Sequence, residues 1–399
     1  MQDEIRIGLI GAGGRLAGVY EEVARVAPGQ VRLARYFDPD PKTGERLKHL
    51  PHAEHARAMA SWQSVVEDDE VDAVMVGSPN AFHADPAILA MEVGKPLFLE
   101  KPLAATLVDH QRLLQAQRRT DARVAVGFVL RYTPFYRTIK EIVDSGRLGR
   151  IQYLHAVEHM GILLTADVYL RGWRAYRKEA GPLLLEKCCH DIDIINWLMG
   201  VPCETVSALD DQTVFANDET RPLRCPECGD KGCAYRGEGS ISARASAESG
   251  VPLYLSGSDD ACIYHRGQDI SDHTTVLARY QGGVHVTFNV TMGVARGGRW
   301  IDIVGSKGKL SGFAEGNTIT FTPLGRGAKT ETIIPAISHP GRHYGGEFML
   351  AEDFLRICRD PFARSVAGIA EGYESGAICL AADEAARIGQ PVEIARYRI

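Results

Sequence analysis

Two side chains of the sequence, Lys101 and His190, have the chemistry needed to move a proton near neutral pH. A lysine whose pKa is lowered by burial or by neighbouring cations can accept a proton, and a histidine titrates near neutrality. Oxidation of a secondary alcohol needs such a group, because the hydroxyl proton must leave as hydride departs from the carbon. Lys101 could polarise the hydroxyl oxygen and share its proton, with His190 as its partner or as the general base. Taken singly, each is better explained as a solvated surface residue.

The segment 186–199 predicts the helix that carries His190. At about 100° per residue, one stripe of this helix consists of Glu186, His190, Asp193 and Trp197. The opposite stripe is apolar, predicts packing against a sheet, and consists of Cys188, Ile192, Ile195 and Met199. Because Trp197 is large and apolar, we expect the first stripe to be covered or to line a cleft. Glu186 and Asp193 are then candidate catalytic residues that orient His190 or bind substrate hydroxyls.

The chain begins with a pattern of strand, glycine turn and helix. An apolar run at 5–10 leads into Gly11, Gly13, Gly14 and Arg15, and a second strand at 31–37 ends at Asp38. Such glycines let the backbone approach a pyrophosphate at a helix N-terminus, and the acid can bind a ribose diol. A carboxylate would repel a 2′-phosphate, so we expect NAD rather than NADP. The alternative is a glycine turn in an unrelated α/β fold, since Leu16 stands where a third glycine is usual.

The alternation of strands and helices continues and predicts an α/β fold with a doubly wound parallel sheet. A strand at 71–76 closes on the loop 77–83, and a strand at 96–99 ends in Glu100-Lys101-Pro102. Loops at the carboxyl ends of parallel strands face the ligand crevice, and Pro102 permits a cis peptide bond after Lys101. The further candidate cofactor-binding residues are therefore Ser78, Pro79, Asn80, His83, Glu100 and Lys101.

The second half of the chain predicts a different sheet. Short strands at 274–280, 284–290, 301–304 and 318–322, with a Gly282-Gly283 hairpin turn, favour antiparallel pairing, and helices at 348–358 and 371–388 close the fold. A length of 399 residues allows two packed cores. We predict a nucleotide-binding domain at 1–125 and a substrate domain at 126–399, with an insertion at about 210–260.

The insertion contains Cys225, Cys228 and Cys233 within nine residues. In a reducing compartment, such spacing favours thiolates around a structural zinc ion, with Cys262 as the expected fourth ligand and His265 or Cys203 as alternatives. The other interpretation is three free thiols in a loop.

Composition excludes several classes of protein. A net charge of −6 gives no reason to expect a nucleic-acid partner. No apolar run reaches the roughly 18 residues that span a bilayer. The start of the chain lacks a basic region and a cleavage site, and the odd count of 9 cysteines is unusual for a disulfide scaffold. We therefore expect a cytoplasmic protein without a membrane or nucleic-acid partner.

Taken in order, these motifs resemble the Gfo/Idh/MocA family (glucose–fructose oxidoreductase, inositol dehydrogenase and rhizopine catabolism). The resemblance rests on the glycine turn, the loops 78–83 and 100–102, the segment 127–134, the Trp173-Arg174 pair, the helix 186–193 and the turn at 303–310. It implies a Rossmann domain, a second domain with a large, mostly antiparallel sheet that often forms a homodimer or homotetramer, and catalytic roles for Lys101 and His190. The family's usual aspartate, four residues before the histidine, is Glu186 here.

The resemblance leaves three functions open. The first is a nicotinamide-dependent dehydrogenase acting on a sugar, inositol or related polyol. The second is a glycoside hydrolase that keeps NAD bound and oxidises the sugar only transiently. The third is a nucleotide-binding regulator without catalysis. Arg131, Tyr132, Trp173 and Arg174 suit sugar hydroxyls but are equally consistent with structural roles.

Overall fold

The first sheet of the protein is fully parallel. The computed structural model describes residues 4–237, 260–339 and 341–399. Within them, six parallel strands lie in the order β3-β2-β1-β4-β5-β6. These strands are β1 (Ile5–Ile10), β2 (Val31–Phe37), β3 (Arg57–Ala58), β4 (Ala73–Val76), β5 (Leu97–Leu99) and β6 (Val124–Val126). This order confirms the predicted doubly wound sheet, and the predicted domain boundary at 125/126 falls inside β6.

Helices cover both faces of this sheet, which explains why its central strands are continuously apolar. All residues of β4 and β5 are buried. The strand predicted at 71–76 begins at Ala73 in the structure, and the carboxylate of Asp72, just before it, pairs with Arg6 at 2.7 Å. The helices are α1 (Gly14–Val26), α2 (Thr43–Leu47), α3 (Trp62–Glu67), α4 (Ala84–Glu92) and α5 (Leu107–Thr120).

The second sheet is large and mostly antiparallel, as predicted. In the described part of the chain it has nine strands in the order β14-β13-β12-β11-β7-β10-β9-β8-β15, and only β7 and β10 are parallel neighbours. The first five are β7 (Ile151–Met160), β8 (Cys203–Asp211), β9 (His273–Tyr280), β10 (Val284–Met292) and β11 (Gly298–Gly305). The others are β12 (Gly308–Phe313), β13 (Thr318–Pro323), β14 (Glu331–Ile333) and β15 (Val392–Glu393).

Helices of the second half join the two sheets. They are α6 (Pro134–Asp144), α7 (Arg177–Ala180), α8 (Leu183–Met199), α9 (Gly346–Arg359) and α10 (Ile369–Ile388). Helix α9 packs against α1 of the first sheet, and α10 packs against both α5 and α8. The end of the chain therefore returns to the nucleotide-binding half. Among the described residues, no helix has the length and hydropathy to cross a membrane.

The interface of α5 with α10 buries an uncharged histidine. The side chain of His110 is fully buried, and Gly376 of α10 leaves room for it, since a Cβ there would lie 2.3 Å from the ring Nε2. Its Nδ1 lies 2.8 Å from the carbonyl oxygen of Thr106, whereas Nε2 has no hydrogen-bond partner among the described residues. Burial lowers the pKa of His110 to about 4.

This burial predicts a pH-dependent loss of stability. Below pH ~6.5 the unfolded chain binds a proton at His110 that the folded chain does not, so stability falls as the pH drops toward the folded pKa. Between pH 7.5 and 5.0, we expect the wild type to lose about 2 kcal/mol more than His110→Gln. Urea unfolding of both proteins at the two pH values measures the difference, and equal losses would contradict the prediction.

Candidate functional site

Lys101 lies at the carboxyl end of β5 and reaches across to α8. The Lys101–Pro102 peptide bond is cis, as the sequence allowed. The Lys101 Nζ donates a hydrogen bond to the backbone oxygen of Glu186 at 2.5 Å and lies 3.6 Å from its Oε1. The structure thus brings together two predicted site residues that are far apart in sequence, one from each half of the chain.

The Glu186 carboxylate is held by three groups. Arg174 donates from Nε to its Oε1 at 2.7 Å, the Tyr169 hydroxyl donates to Oε2, and Lys101 completes the set. Burial opposes ionisation, but the charges of Lys101 and Arg174 outweigh it and lower the pKa of Glu186 to about 2. Glu186 is therefore an anion at neutral pH that orients Lys101. This differs from the prediction that it orients His190, because its carboxylate oxygens are engaged elsewhere.

His190 is a buried histidine on the next turn of α8. Its side chain is buried, and its ring meets Phe128 edge-on with the ring centroids 5.8 Å apart. Burial and the charges of Lys101 and Arg299 lower the pKa of His190 well below its usual range. Its Nδ1 is buried and has no hydrogen-bond partner among the described residues. The ring is therefore unprotonated at pH 7.

The carboxylate of Asp193 pairs with Arg131. Both of its carboxylate oxygens accept hydrogen bonds from Arg131, from Nε and Nη2 at 2.7 Å each, and both side chains are buried. The Arg131 guanidinium also lies over the Trp197 ring, 5.6 Å from its centroid. Asp193 and Arg131 thus form a buried ion pair that engages both carboxylate oxygens of Asp193.

The face of α8 toward the sheet carries charges that the sequence did not predict. Arg299 of β11 places Nε 2.8 Å from Asp191 and 2.8 Å from Glu158 of β7. The Nζ of Lys187 lies 3.1 Å from the other Glu158 oxygen. All four side chains are almost fully buried. Helix α8 therefore docks through ion pairs as well as through its apolar stripe. The stripe of Glu186, His190 and Asp193 is buried, in line with the expectation that it is covered or lines a cleft.

The glycine turn forms an open cradle at the start of α1. Gly11 has φ +73°, and a Cβ there would lie 2.3 Å from the backbone nitrogen of Ser78. Gly13 is the N-cap of α1 without a side-chain hydrogen bond, and a Cβ on it would meet open space. The first N–H groups of the helix, from Gly14 onward, thus lie beside free room, which suits a pyrophosphate. Asp38 follows β2 and is half-buried, with Oδ1 accepting the N–H of Asp40 at 2.9 Å. These residues fit a dinucleotide.

The side chains of His83 and Asn80, in the loop after β4, contact backbone oxygens of other segments. The two ring nitrogens of His83 lie 2.9 Å from the Pro102 oxygen and 2.8 Å from the Ser78 oxygen. Asn80, which follows Pro79, donates from Nδ2 to the Ala180 oxygen at 2.8 Å. Both ring nitrogens of His83 are thus engaged within the chain, and His83 ties this loop to the loop that carries Lys101.

Arg15 and Glu100, both predicted to bind the cofactor, are paired with each other. Arg15 donates from Nε to Glu100 at 2.8 Å and also contacts Glu347 of α9. Glu347 in turn lies 2.8 Å from the Nδ1 of His343. The other Glu100 oxygen accepts the N–H of Lys101 at 3.1 Å. Glu347 was missed by the sequence analysis, since nothing local in residues 341–347 points to the glycine turn.

The three cysteines of the insertion lie together with Cys262. Cys225, Cys228, Cys233 and Cys262 line one small cavity, and all four are free thiols. Across residues 4–237, 260–339 and 341–399, no three His, Cys, Asp or Glu side chains are arranged to hold a metal ion as they stand, so zinc is not shown. The alternative ligands do not line this cavity: the ring of His265 contacts the Arg221 oxygen, and Cys203 belongs to β8. Residues 238–259 of the insertion lie outside the described residues.

Two family models match the chain. Residues 5–128 match the oxidoreductase family with an NAD-binding Rossmann fold, and residues 136–311 match the GFO/IDH/MocA C-terminal domain. The first match spans the glycine turn and the loop of Lys101, and the second spans α8.

Relatives with names agree with these matches. The putative oxidoreductase YteT of Bacillus subtilis (strain 168) is 28% identical over 379 residues, 87% of this chain and 87% of that protein. Inositol 2-dehydrogenase 2 of Saccharopolyspora erythraea is 33% identical over 205 residues, 51% of this chain and 56% of that protein. A solved structure of levoglucosan dehydrogenase with NADH and L-sorbose has a TM-score of 0.76 at 20% identity, covering 98% of this chain and 99% of that chain. This last likeness is one of fold.

Proposed function

Because the chain belongs to the Gfo/Idh/MocA family of NAD-binding oxidoreductases, as its ordered motifs predicted, we propose that it is a dehydrogenase of a polyol. The reaction would transfer a hydride between NAD and a hydroxyl-bearing carbon of a sugar, inositol or related compound. One observation carries the proposal. The ammonium of Lys101, at the end of β5, is held by Glu186 of α8. The next turn of α8 carries His190, whose lowered pKa keeps its ring uncharged.

The cofactor proposal rests on the glycine cradle and on Asp38. Bound NAD would supply the hydride acceptor. The N–H groups at the start of α1 would hold its pyrophosphate, and the Asp38 carboxylate would accept hydrogen bonds from the ribose diol. The same carboxylate would repel a 2′-phosphate, which favours NAD over NADP.

The proton chemistry is assigned to Lys101 and His190. Lys101 would donate a hydrogen bond to the substrate hydroxyl oxygen and so stabilise the negative charge that grows there as the C–H bond breaks. The hydroxyl proton would pass to His190, whose lowered pKa keeps it unprotonated. Glu186 would act as a positioning residue, since its contacts with Arg174 and Lys101 hold the ammonium in place.

The class of substrate is inferred from the named relatives. One relative is called an inositol dehydrogenase, and the levoglucosan dehydrogenase structure holds L-sorbose. Inositol, levoglucosan and L-sorbose each carry several hydroxyl groups. The cytoplasmic location, the homodimer or homotetramer and the lack of nucleic-acid or membrane partners stay predictions from the sequence.

The test is a turnover assay with a panel of polyols. The purified protein is incubated with NAD or NADP and with inositols, hexoses, anhydrosugars and aryl glycosides, while NADH and released aglycone are followed. We expect net NADH formation with at least one polyol and a preference for NAD of at least about tenfold. Aglycone release without net NADH would favour the glycoside hydrolase. NAD binding without any turnover across the panel would favour the regulator.

A further inference from the structure

Four cysteines from two distant segments surround one cavity. Cys225, Cys228 and Cys233 belong to one segment, and Cys262 comes from the segment that follows the undescribed residues. The cavity has a volume of about 10 Å³, which is room for roughly one water-sized particle. Cys225 and Cys262 are buried, and the other two are half-buried. Arg221, Asp230 and Arg236 also line the cavity, so the space has room for a single ion beside the four thiols.

Backbone hydrogen bonds fix the two segments against each other. Cys225 donates its N–H to the Asp260 oxygen at 2.7 Å, and Cys262 donates to the Leu223 oxygen at 2.9 Å. The N–H of Gly237 points at the sulfur of Cys225 at 3.3 Å. Such an N–H donor stabilises negative charge on sulfur, which is the form of cysteine that binds metals.

We infer that this cavity holds one structural zinc ion bound by the four thiolates of Cys225, Cys228, Cys233 and Cys262. Four sulfur ligands match the tetrahedral preference of zinc. Binding requires each thiol to release its proton to solvent and to turn toward the centre, to about 2.3 Å from the metal. The four cysteines are free thiols in the structure. We infer the metal site from the cavity that they share. One disulfide would leave the other two thiols unexplained.

The site would support the catalytic region through Arg171. This side chain is almost fully buried, donates from Nε to the Ala261 oxygen at 3.1 Å, and also contacts the Tyr235 oxygen. Ala261 directly precedes Cys262, and Tyr235 follows Cys233 closely. Two residues before Arg171, Tyr169 donates to the carboxylate of Glu186. A metal that fixes the cysteine loop would therefore hold the segment that orients Glu186.

Metal analysis tests the inference without any turnover, so its result is independent of the proposed function. The full chain is purified from zinc-supplemented cells under reducing conditions, desalted, and measured by inductively coupled plasma mass spectrometry. We expect about one zinc per chain for the wild type and at least about a fivefold loss for Cys228→Ser. Two variants should keep the wild-type content: Cys358→Ser, which changes a half-buried thiol on α9, and His265→Ala, which removes the rejected alternative ligand.

A second measurement covers the case in which Cys228→Ser does not fold. The wild type is titrated with a mercurial thiol reagent in the presence of a zinc indicator, and about one zinc should be released as four thiols react. A wild type that lacks stoichiometric metal, both as purified and after incubation with zinc under reducing conditions, would overturn the inference. A disulfide between any two of the four cysteines, found by mass spectrometry of the purified chain, would do so too.

Discussion

Replacement of Lys101 by methionine is expected to lower kcat/KM by about 10³ while NAD still binds. Methionine keeps much of the apolar stem but has no ammonium, so the growing charge on the substrate oxygen loses its hydrogen-bond donor. The cradle at Gly11 and Gly13 and the acid Asp38 lie on other loops and are unchanged. Steady-state kinetics on the best polyol of the panel, with NAD binding followed by fluorescence titration, gives both quantities.

Lys95→Met is the matched control for this substitution. Lys95 precedes the amino end of the same strand and donates its Nζ to the oxygens of Val66 and Asp68 at 2.6 and 2.7 Å. It is a partly buried lysine that lies just before the amino end of β5, whereas Lys101 lies at the carboxyl end of that strand. We expect Lys95→Met to keep kcat/KM within about threefold of the wild type, even if its stability falls. A Lys101→Met enzyme that keeps more than about a tenth of the activity would remove lysine from the mechanism.

Replacement of His190 by asparagine is expected to lower kcat by about 10² to 10³. The pH profile makes this prediction specific to a base. Because burial and nearby cations lower the pKa of His190, the unprotonated form persists on acidification through pH 6.5. The wild-type kcat/KM should therefore stay level from pH 8 to 6.5 and fall only at lower pH, within the range where the protein stays folded. His190→Asn should lose that acidic limb.

His155→Asn is the control for the histidine. His155 lies on β7 with Nδ1 2.9 Å from the hydroxyl of Thr287, and we expect its replacement to leave both kcat and the pH profile unchanged. A wild-type profile that falls with a midpoint near pH 6.5 to 7 would contradict the lowered pKa. An acidic limb that survives in His190→Asn would assign it to another group.

Local signals in the sequence were enough to predict the first sheet and part of the candidate site. The glycine turn, the apolar strands and Lys101 at a strand end each depend on a few neighbouring residues, and the structure has them where they were expected. The helical stripe correctly selected Glu186 and His190 as neighbours along α8. The stripe could not show which side chains contact Glu186 and His190, because those contacts depend on how α8 packs against the rest of the protein.

The missed features are contacts between residues distant in sequence. Glu158 and Arg299 lie on two neighbouring strands, and their pairing depends on the register of β7 with β11, which a single sequence does not encode locally. Strand β7 itself was not predicted, although it lies at the centre of the second sheet. Glu347 reaches Arg15 only because α9 returns to the first sheet. In each case, tertiary packing decides the partner.

The central position of β7 in the second sheet has a consequence for synthesis on the ribosome. Its two neighbours, β10 and β11, are translated much later than β7, whereas all six strands of the first sheet precede it. Pairing over such long separations is slow, and domains tend to fold from the amino end as the chain emerges. The nucleotide-binding half can therefore fold early. Strand β7, which packs against α8, has no strand partner until β10 and β11 have been translated. Helices α9 and α10 are translated later still, so α9 packs against α1, and Glu347 reaches Arg15, only after the first sheet can have formed.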